Sequence, residues 1–204
     1  MARAKRSTET TEAMRRDLVA AARVLIAEEG LKGLTARRLA SDLGWAVGTI
    51  YTVAPTLDVV TLEANAAELS DLRDALIAAE SALPKDISAA DRLLGMASAY
   101  LAFAGSRPRN WAAIFEREAE GEPPDWYRAR QRELFDLAEG WLQPLVGDKA
   151  EAQKASRALW AGLQGVTALA AAGHLTRISE TGAEDLARYL VRTFVAGLDA
   201  QDHR

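Results

Sequence analysis

The chain has 204 residues, 49% hydrophobic and 26% charged, with a net charge of −4; such a composition buries a core and argues against a disordered or collagen-like polymer. It has no cysteine and two histidines, His174 and His203. That excludes disulfides and thiolate chemistry and leaves too little for a zinc site or a Ser-His-Asp triad, so no metal, cofactor or enzymatic activity is expected. The charge is uneven: residues 1–60 hold nine Lys/Arg against seven acids, and the remainder 16 against 22. No apolar run follows the basic N-terminus. The most apolar stretch, Ala158 to Leu175, is interrupted by Gln164, Thr167 and three glycines. The expectation is a cytoplasmic protein without a membrane span.

In chain order, residues 1–10 read as a loose basic arm. Leu18, Ala22, Leu25 and Ile26 repeat at helical spacing, and Gly30 stops that helix. Leu31 and Leu34 bracket a short loop. Thr35 is a suitable N-cap for a second helix with Leu39, Ala40 and Leu43 inward, ended by Gly44. A third helix covers about Ala46–Thr52 and closes before Pro55. Six more are predicted: Leu57–Leu83, Ser88–Gly105, Trp111–Glu118, Asp125–Leu145, a helix capped by Asp148 that reaches Ala172, and Ala183–Leu198. Gly121-Glu-Pro-Pro124 marks a break. Strand alternation is absent, so the fold class is all-α, about nine helices.

The segment Gly33–Val60 concentrates the functional signal. A helix of about eight residues, a glycine turn and a second short helix make a helix-turn-helix. Leu39, Ala40, Leu43 and Ile50 face inward. This leaves Arg37, Arg38, Trp45, Ala46, Val47, Gly48, Thr49 and Tyr51 for an outer face that fits a major groove. An arginine fork matches the guanine O6/N7 edge, and hydroxyls can hold phosphates. An ordinary helical hairpin has the same spacing. Trp45 suits either a thymine methyl or burial against the first helix.

Leu34-Thr35-Ala36-Arg37-Arg38-Leu39-Ala40, Leu43-Gly44 and Gly48-Thr49-Ile50-Tyr51 resemble the TetR family of bacterial transcriptional regulators, as do Glu28-Glu29-Gly30 and Leu31-Lys32-Gly33-Leu34 before them. Arg107-Pro108, Trp111 and Phe115, with Trp160-Ala161-Gly162-Leu163-Gln164-Gly165, are more weakly similar to a subgroup with a Trp-x-x-x-His-Gly pattern, Gln164 standing in the histidine's place. The resemblance implies a DNA-binding head over 1–56, with a flexible basic arm, and a ligand-binding and dimerisation domain over 57–204. It further implies a homodimeric regulator, a repressor, that holds double-stranded operator DNA and is released by a small-molecule effector. Arg37 would sit near base edges or phosphate, Gly48 and Thr49 against the groove, and Tyr51 on a phosphate. Val53, Ala54 and Leu57 depart from the family's histidine, phenylalanine and lysine. They leave an alternative open: a helical ligand-binding protein whose head no longer binds an operator. Arg3, Lys5, Arg6, Arg15 and Arg16 are placed to compensate through the arm.

Nine of the 13 aromatics fall between residues 100 and 160. From these, Tyr100, Phe103, Trp111, Phe115, Trp126, Tyr127 and Trp160, together with Gln164, are the expected lining of a mostly apolar cavity; plain core packing is the other reading of such residues. Two apolar stripes, Leu159, Gly162, Leu163 and Val166, then Leu186, Leu190 and Phe194, are expected to form a dimer seam, the same surface used twice. Burial of both stripes within one chain is the competing arrangement.

Overall fold

The computed structural model describes residues 2–116 and 122–201, with side chains from Thr10 to Leu198 outside that gap. Gly121, residues 117 and 118 of the expected sixth helix, His203, and the side chains of Arg3, Lys5 and Arg6 lie outside the described residues. Among those described there are ten α-helices and no strand. They are α1 (Ala2–Glu29), α2 (Ala36–Leu43), α3 (Val47–Val53), α4 (Leu57–Ser81), α5 (Ala89–Ser106), α6 (Pro108–Glu116), α7 (Asp125–Val146), α8 (Lys149–Ala171), α9 (Leu175–Ile178) and α10 (Ala183–Gln201). The all-α expectation holds. The extra helix is the single turn α9, and the loop expected after Gly30 contains a 3-10 turn at Leu31–Gly33. No described helix is long and apolar enough to cross a membrane.

Local chemistry sets most helix ends. Thr35 is extended and its hydroxyl oxygen accepts from the Arg38 N–H (3.2 Å), which satisfies a donor that α2 itself cannot pair. Asp148 does the same for α8, accepting from the Glu151 N–H at 3.0 Å. Ser88 accepts from the Asp91 N–H (3.0 Å) ahead of α5. Pro108 sits in the first turn of α6, where its missing N–H costs nothing. The expected loose arm is instead the start of α1: no glycine or proline interrupts residues 2–29, so the helix runs from Ala2.

The chain divides into two compact units. Unit 1 comprises Met1–Glu68 and Arg107–Tyr127. Its core joins Leu18, Ala22, Leu25 and Ile26 of α1 to Leu39, Ala40, Ile50 and Val53 of α2 and α3, and to Val60, Ala64 and Ala113 of α4 and α6. Unit 2 comprises Leu69–Ser106 and Arg128–Arg204. There α5, α8 and α10 pack together, burying Leu93, Met96, Ala97 and Tyr100 with Leu159, Leu163, Val191 and Val195. The long helix α4 supplies residues to both units, so the compact unit that carries α2 and α3 extends beyond residue 56 and takes in α6.

The α2–α3 turn rests on Gly44, which is left-handed (φ 68°) and leaves the Trp45 N–H bonded to the Ala40 carbonyl at 2.8 Å. A Cβ there would touch nothing within 4 Å, so its cost is backbone strain alone. Gly44→Ala should therefore lower stability by about 1–2 kcal/mol. Gly48→Ala, inside α3 and equally uncrowded, should be neutral or stabilising by up to ~1 kcal/mol. Urea denaturation of the two variants checks this; equal midpoints would contradict it.

Candidate DNA-reading face and sensor network

In unit 1 the second and third helices lie across one core, with Leu39 and Ile50 fully buried between them. Their outer side carries Arg37, Ala46, Val47, Gly48 and Tyr51, all exposed, Val47 at 42% and Tyr51 at 49%. Thr49 is half-buried at the rim. Trp45 is half-buried and packs on the head core, as burial against the first helix would require. The two adjacent arginines differ. Arg38 is held by Glu29 at 2.9 Å and by both oxygens of Asp42 at 3.1 Å. Arg37 is exposed and has no ion pair or hydrogen bond among the described residues. Of this pair, Arg37 is the cation left available to an incoming acceptor. Arg15, one of the residues expected to assist from the arm, pairs instead with Glu63 of α4.

The three family departures all turn inward. Val53 and Ala54 belong to the core, Ala54 with no exposure, and Leu57 packs partly buried against it. Apolar side chains here close the junction between α3 and α4 and offer no polar group to solvent.

A polar cluster that residue spacing alone did not reveal lies in the same unit. Glu68 of α4 is buried, at 3% exposure. Its Oε1 accepts from Arg23 of α1 (Nε, 2.9 Å) and from the Asn110 amide of α6 (3.1 Å). Its Oε2 accepts from Arg107, just before α6, at 3.3 Å. The Asn110 amide also donates to the Arg23 carbonyl at 3.0 Å. Arg109 donates to the Ala27 carbonyl (3.2 Å) and to that of Glu28, at the C-terminal end of α1. One cation at a helix C-terminus thereby meets carbonyls that have no helical partner. The buried Asn65 amide donates to the Ala113 carbonyl at 3.1 Å.

The expected ligand residues fall into two groups. Trp111, Phe115, Trp126 and Tyr127 belong to unit 1, where Trp111 meets Phe115 edge-on (5.5 Å) and Trp126 meets Tyr127 edge-on (5.8 Å). Trp111 and Tyr127 are buried, while Phe115 and Trp126 are exposed. Tyr100, Phe103, Trp160 and Gln164 belong to unit 2, and three of them form one hydrogen-bonded chain. The Trp160 indole donates to the Tyr100 oxygen, and the Tyr100 hydroxyl donates to Gln164 Oε1 at 2.7 Å. Trp160 also packs edge-on against Phe135 (5.6 Å), over which the Arg157 guanidinium lies at 4.5 Å while pairing with the buried Glu139. Phe135, Arg157 and Glu139 extend this network of side-chain contacts.

The two stripes expected to form a dimer seam both lie in unit 2. Leu159 and Leu163 are buried in unit 2 itself, and Gly162 faces Leu190, where a Cβ would come within 2.7 Å of its Cδ2. The glycine permits close packing of α8 on α10 inside one chain. Val166, Leu186, Leu190 and Phe194 are half-buried. The outward side of α8 presents Ala158, Ala161, Gly165 and Leu169, and that of α10 presents Tyr189 at 71% exposure. Among the described residues no His, Asp and Glu group could hold a metal ion.

Burial holds the Tyr100 hydroxyl well above the ordinary phenol range, with the Trp160 hydrogen bond partly opposing it. The folded chain thus keeps a proton that the unfolded chain releases, and stability should fall as pH rises above about 10. Tyr100→Phe should flatten that fall and cost about 1 kcal/mol near neutrality. Urea titrations at pH 8 and above 10 test this; an unchanged alkaline slope would contradict it.

Residues 93–194, half of the chain, match the family model described as the tetracyclin repressor-like C-terminal domain. A putative transcriptional regulator from Pseudomonas aeruginosa PAO1 superposes with a TM-score of 0.71 at 21% identity, covering 95% of this chain and 93% of its own. A transcriptional regulator from Rhodococcus sp. Rha1 gives 0.66 at 25% identity, with coverages of 91% and 97%. A tetR-family transcriptional regulator from Streptomyces coelicolor gives 0.70 at 17% identity, with coverages of 93% and 83%. No curated protein matches the chain significantly.

Proposed function

The chain belongs to the TetR family of transcriptional regulators, and from that membership we propose that it is a homodimeric repressor whose unit 1 reads an operator and whose unit 2 binds a small effector that releases it. The observation that carries the DNA reading is the exposed set Arg37, Val47, Gly48 and Tyr51, mounted on two helices whose inner faces are fully buried. Arg37 reads a base edge or a phosphate, and Tyr51 holds a phosphate. Arg38 supports α2 through Glu29 and Asp42 rather than contacting DNA first.

A second reading follows from Leu57. A lysine there would add a phosphate contact, and its packing into the head core removes one. On that reading the chain binds a ligand but not an operator. Titrating the protein onto duplexes that flank its own gene, at several salt concentrations, separates the two. Sequence-specific, salt-dependent binding supports the repressor, and its absence supports the alternative.

The effector is mostly apolar and is met by Tyr100, Phe103, Trp160 and Gln164, the hydrogen-bonded chain giving the polar contact. Self-association uses the outer side of α8 and α10, where small residues on α8 permit close approach and Leu169 and Tyr189 supply apolar area. Two identical heads then meet two half-sites on one face of the duplex.

Two outcomes are expected. Arg37→Ala weakens operator binding by about 1–3 kcal/mol and relaxes specificity, whereas Tyr51→Phe weakens all sequences alike; unchanged operator affinity in Arg37→Ala would remove its role. Ala161→Glu, on the exposed side of α8, yields a helical monomer in sedimentation. An unchanged dimer would move the interface elsewhere.

A further inference from the structure

Two features of α3 have no account within the chain. Val47 is an exposed β-branched apolar side chain, although the helix buries Ile50 and Val53 in the head core. Gly48, next to it, is also exposed and lies inside the helix, where glycine is less favourable than alanine. A Cβ there would touch nothing within 4 Å, so no described neighbour requires the side chain to be missing.

The polar groups on this helix are few. Val47-Gly-Thr-Ile-Tyr-Thr-Val53 holds no charged residue and no Asn or Gln, so α3 has none of the forked side chains that pair with a base edge. Residues 47, 48, 51 and 52 are all exposed, and their spacing puts them on one face. Thr52 donates its hydroxyl hydrogen to the Gly48 carbonyl at 3.1 Å. Thr49 is half-buried. The start of that face is therefore the methyl groups of Ala46 and Val47 and the uncovered backbone of Gly48.

We infer that Val47 is a specificity-determining residue that reads a thymine by its C5 methyl group, and that Gly48 admits this methyl close to the helix backbone. The inference rests on the repressor reading and names the chemistry of its operator: each half-site carries a thymine at the step facing the start of α3. In the major groove thymine presents a methyl group that the other three bases lack, so an apolar surface can select it without a hydrogen bond. Contact between that methyl and the valine removes apolar area of both from water. Valine is suited to this, because its side chain has one strongly preferred rotamer in a helix and is already set for the contact. A Cβ on residue 48 would stand where the methyl enters.

The test uses the full chain and duplexes that it enriches from a random library, with each thymine replaced in turn by deoxyuridine. That exchange deletes one methyl group and keeps every hydrogen-bonding atom of the base. In the wild type one symmetry-related pair of thymines should stand out, each lost methyl weakening binding about fourfold. In Val47→Ala the thymine duplex should bind more weakly, and the effect of deoxyuridine at that pair should nearly vanish. Gly48→Ala should weaken the thymine duplex roughly tenfold through crowding. Deoxyuridine at the same pair should then recover part of the loss, because the deleted methyl makes room for the new Cβ. Alanine is the better helix former at both positions, so both variants should fold, and their urea midpoints check this. Sequence-specific binding without any methyl dependence in the wild type overturns the inference and leaves the repressor reading standing. A methyl dependence undiminished in Val47→Ala also overturns it, since another residue then reads the methyl. If no duplex is enriched from the library, the repressor reading fails and the inference falls with it.

Discussion

A carboxylate buried among helices must be answered by cations or hydrogen-bond donors, and unit 1 is arranged around that demand at Glu68. Arg23 comes from α1, Arg107 from the segment before α6, and Asn110 from α6 itself. Because two of these partners lie some forty residues beyond the glutamate, α6 has to join α1 and α4 in the same compact unit. The helix-turn-helix is then held from behind by α1, which carries its own share of the cluster and has its last carbonyls met by Arg109. The apolar core beneath, from Leu18 to Val60, supplies the bulk of the burial, whereas the polar cluster fixes register.

The same economy governs the outer face. Charges near the turn are largely committed inside the chain: Arg38 to Asp42 and Glu29, Arg15 to Glu63. Positions where the resemblance implies a histidine, a phenylalanine and a lysine hold Val53, Ala54 and Leu57, and these close the α3–α4 junction. Of the two adjacent arginines on α2, Arg37 is the one left uncommitted. On the proposed reading, the head's affinity would come from Arg37, the hydroxyls and the doubling of contacts in a symmetric dimer.

What could be read in the residues was what neighbouring residues decide. Thr35, Gly44, Ser88 and Asp148 act within one turn, and they mark helix ends that the structure reproduces. The inward set Leu39, Ala40 and Ile50 followed from spacing alone. The Glu68 cluster was not legible, because its partners are distant in sequence and a lone glutamate on a helix looks like a solvated face. Nor does a stripe of leucines state what covers it: Leu159 and Leu163 have the same period whether they meet another chain or, as here, their own. The aromatics between 100 and 160 likewise gave no hint that they divide between two units.

The central claim is that this chain holds a specific operator as a symmetric pair. Fluorescence anisotropy of a labelled duplex from beside its own gene, against a scrambled duplex of equal length, measures that directly. The account predicts saturation at two chains per site, with the scrambled duplex bound at least ~10³-fold more weakly at physiological salt. Equal binding of the two duplexes, or none to either, would contradict it.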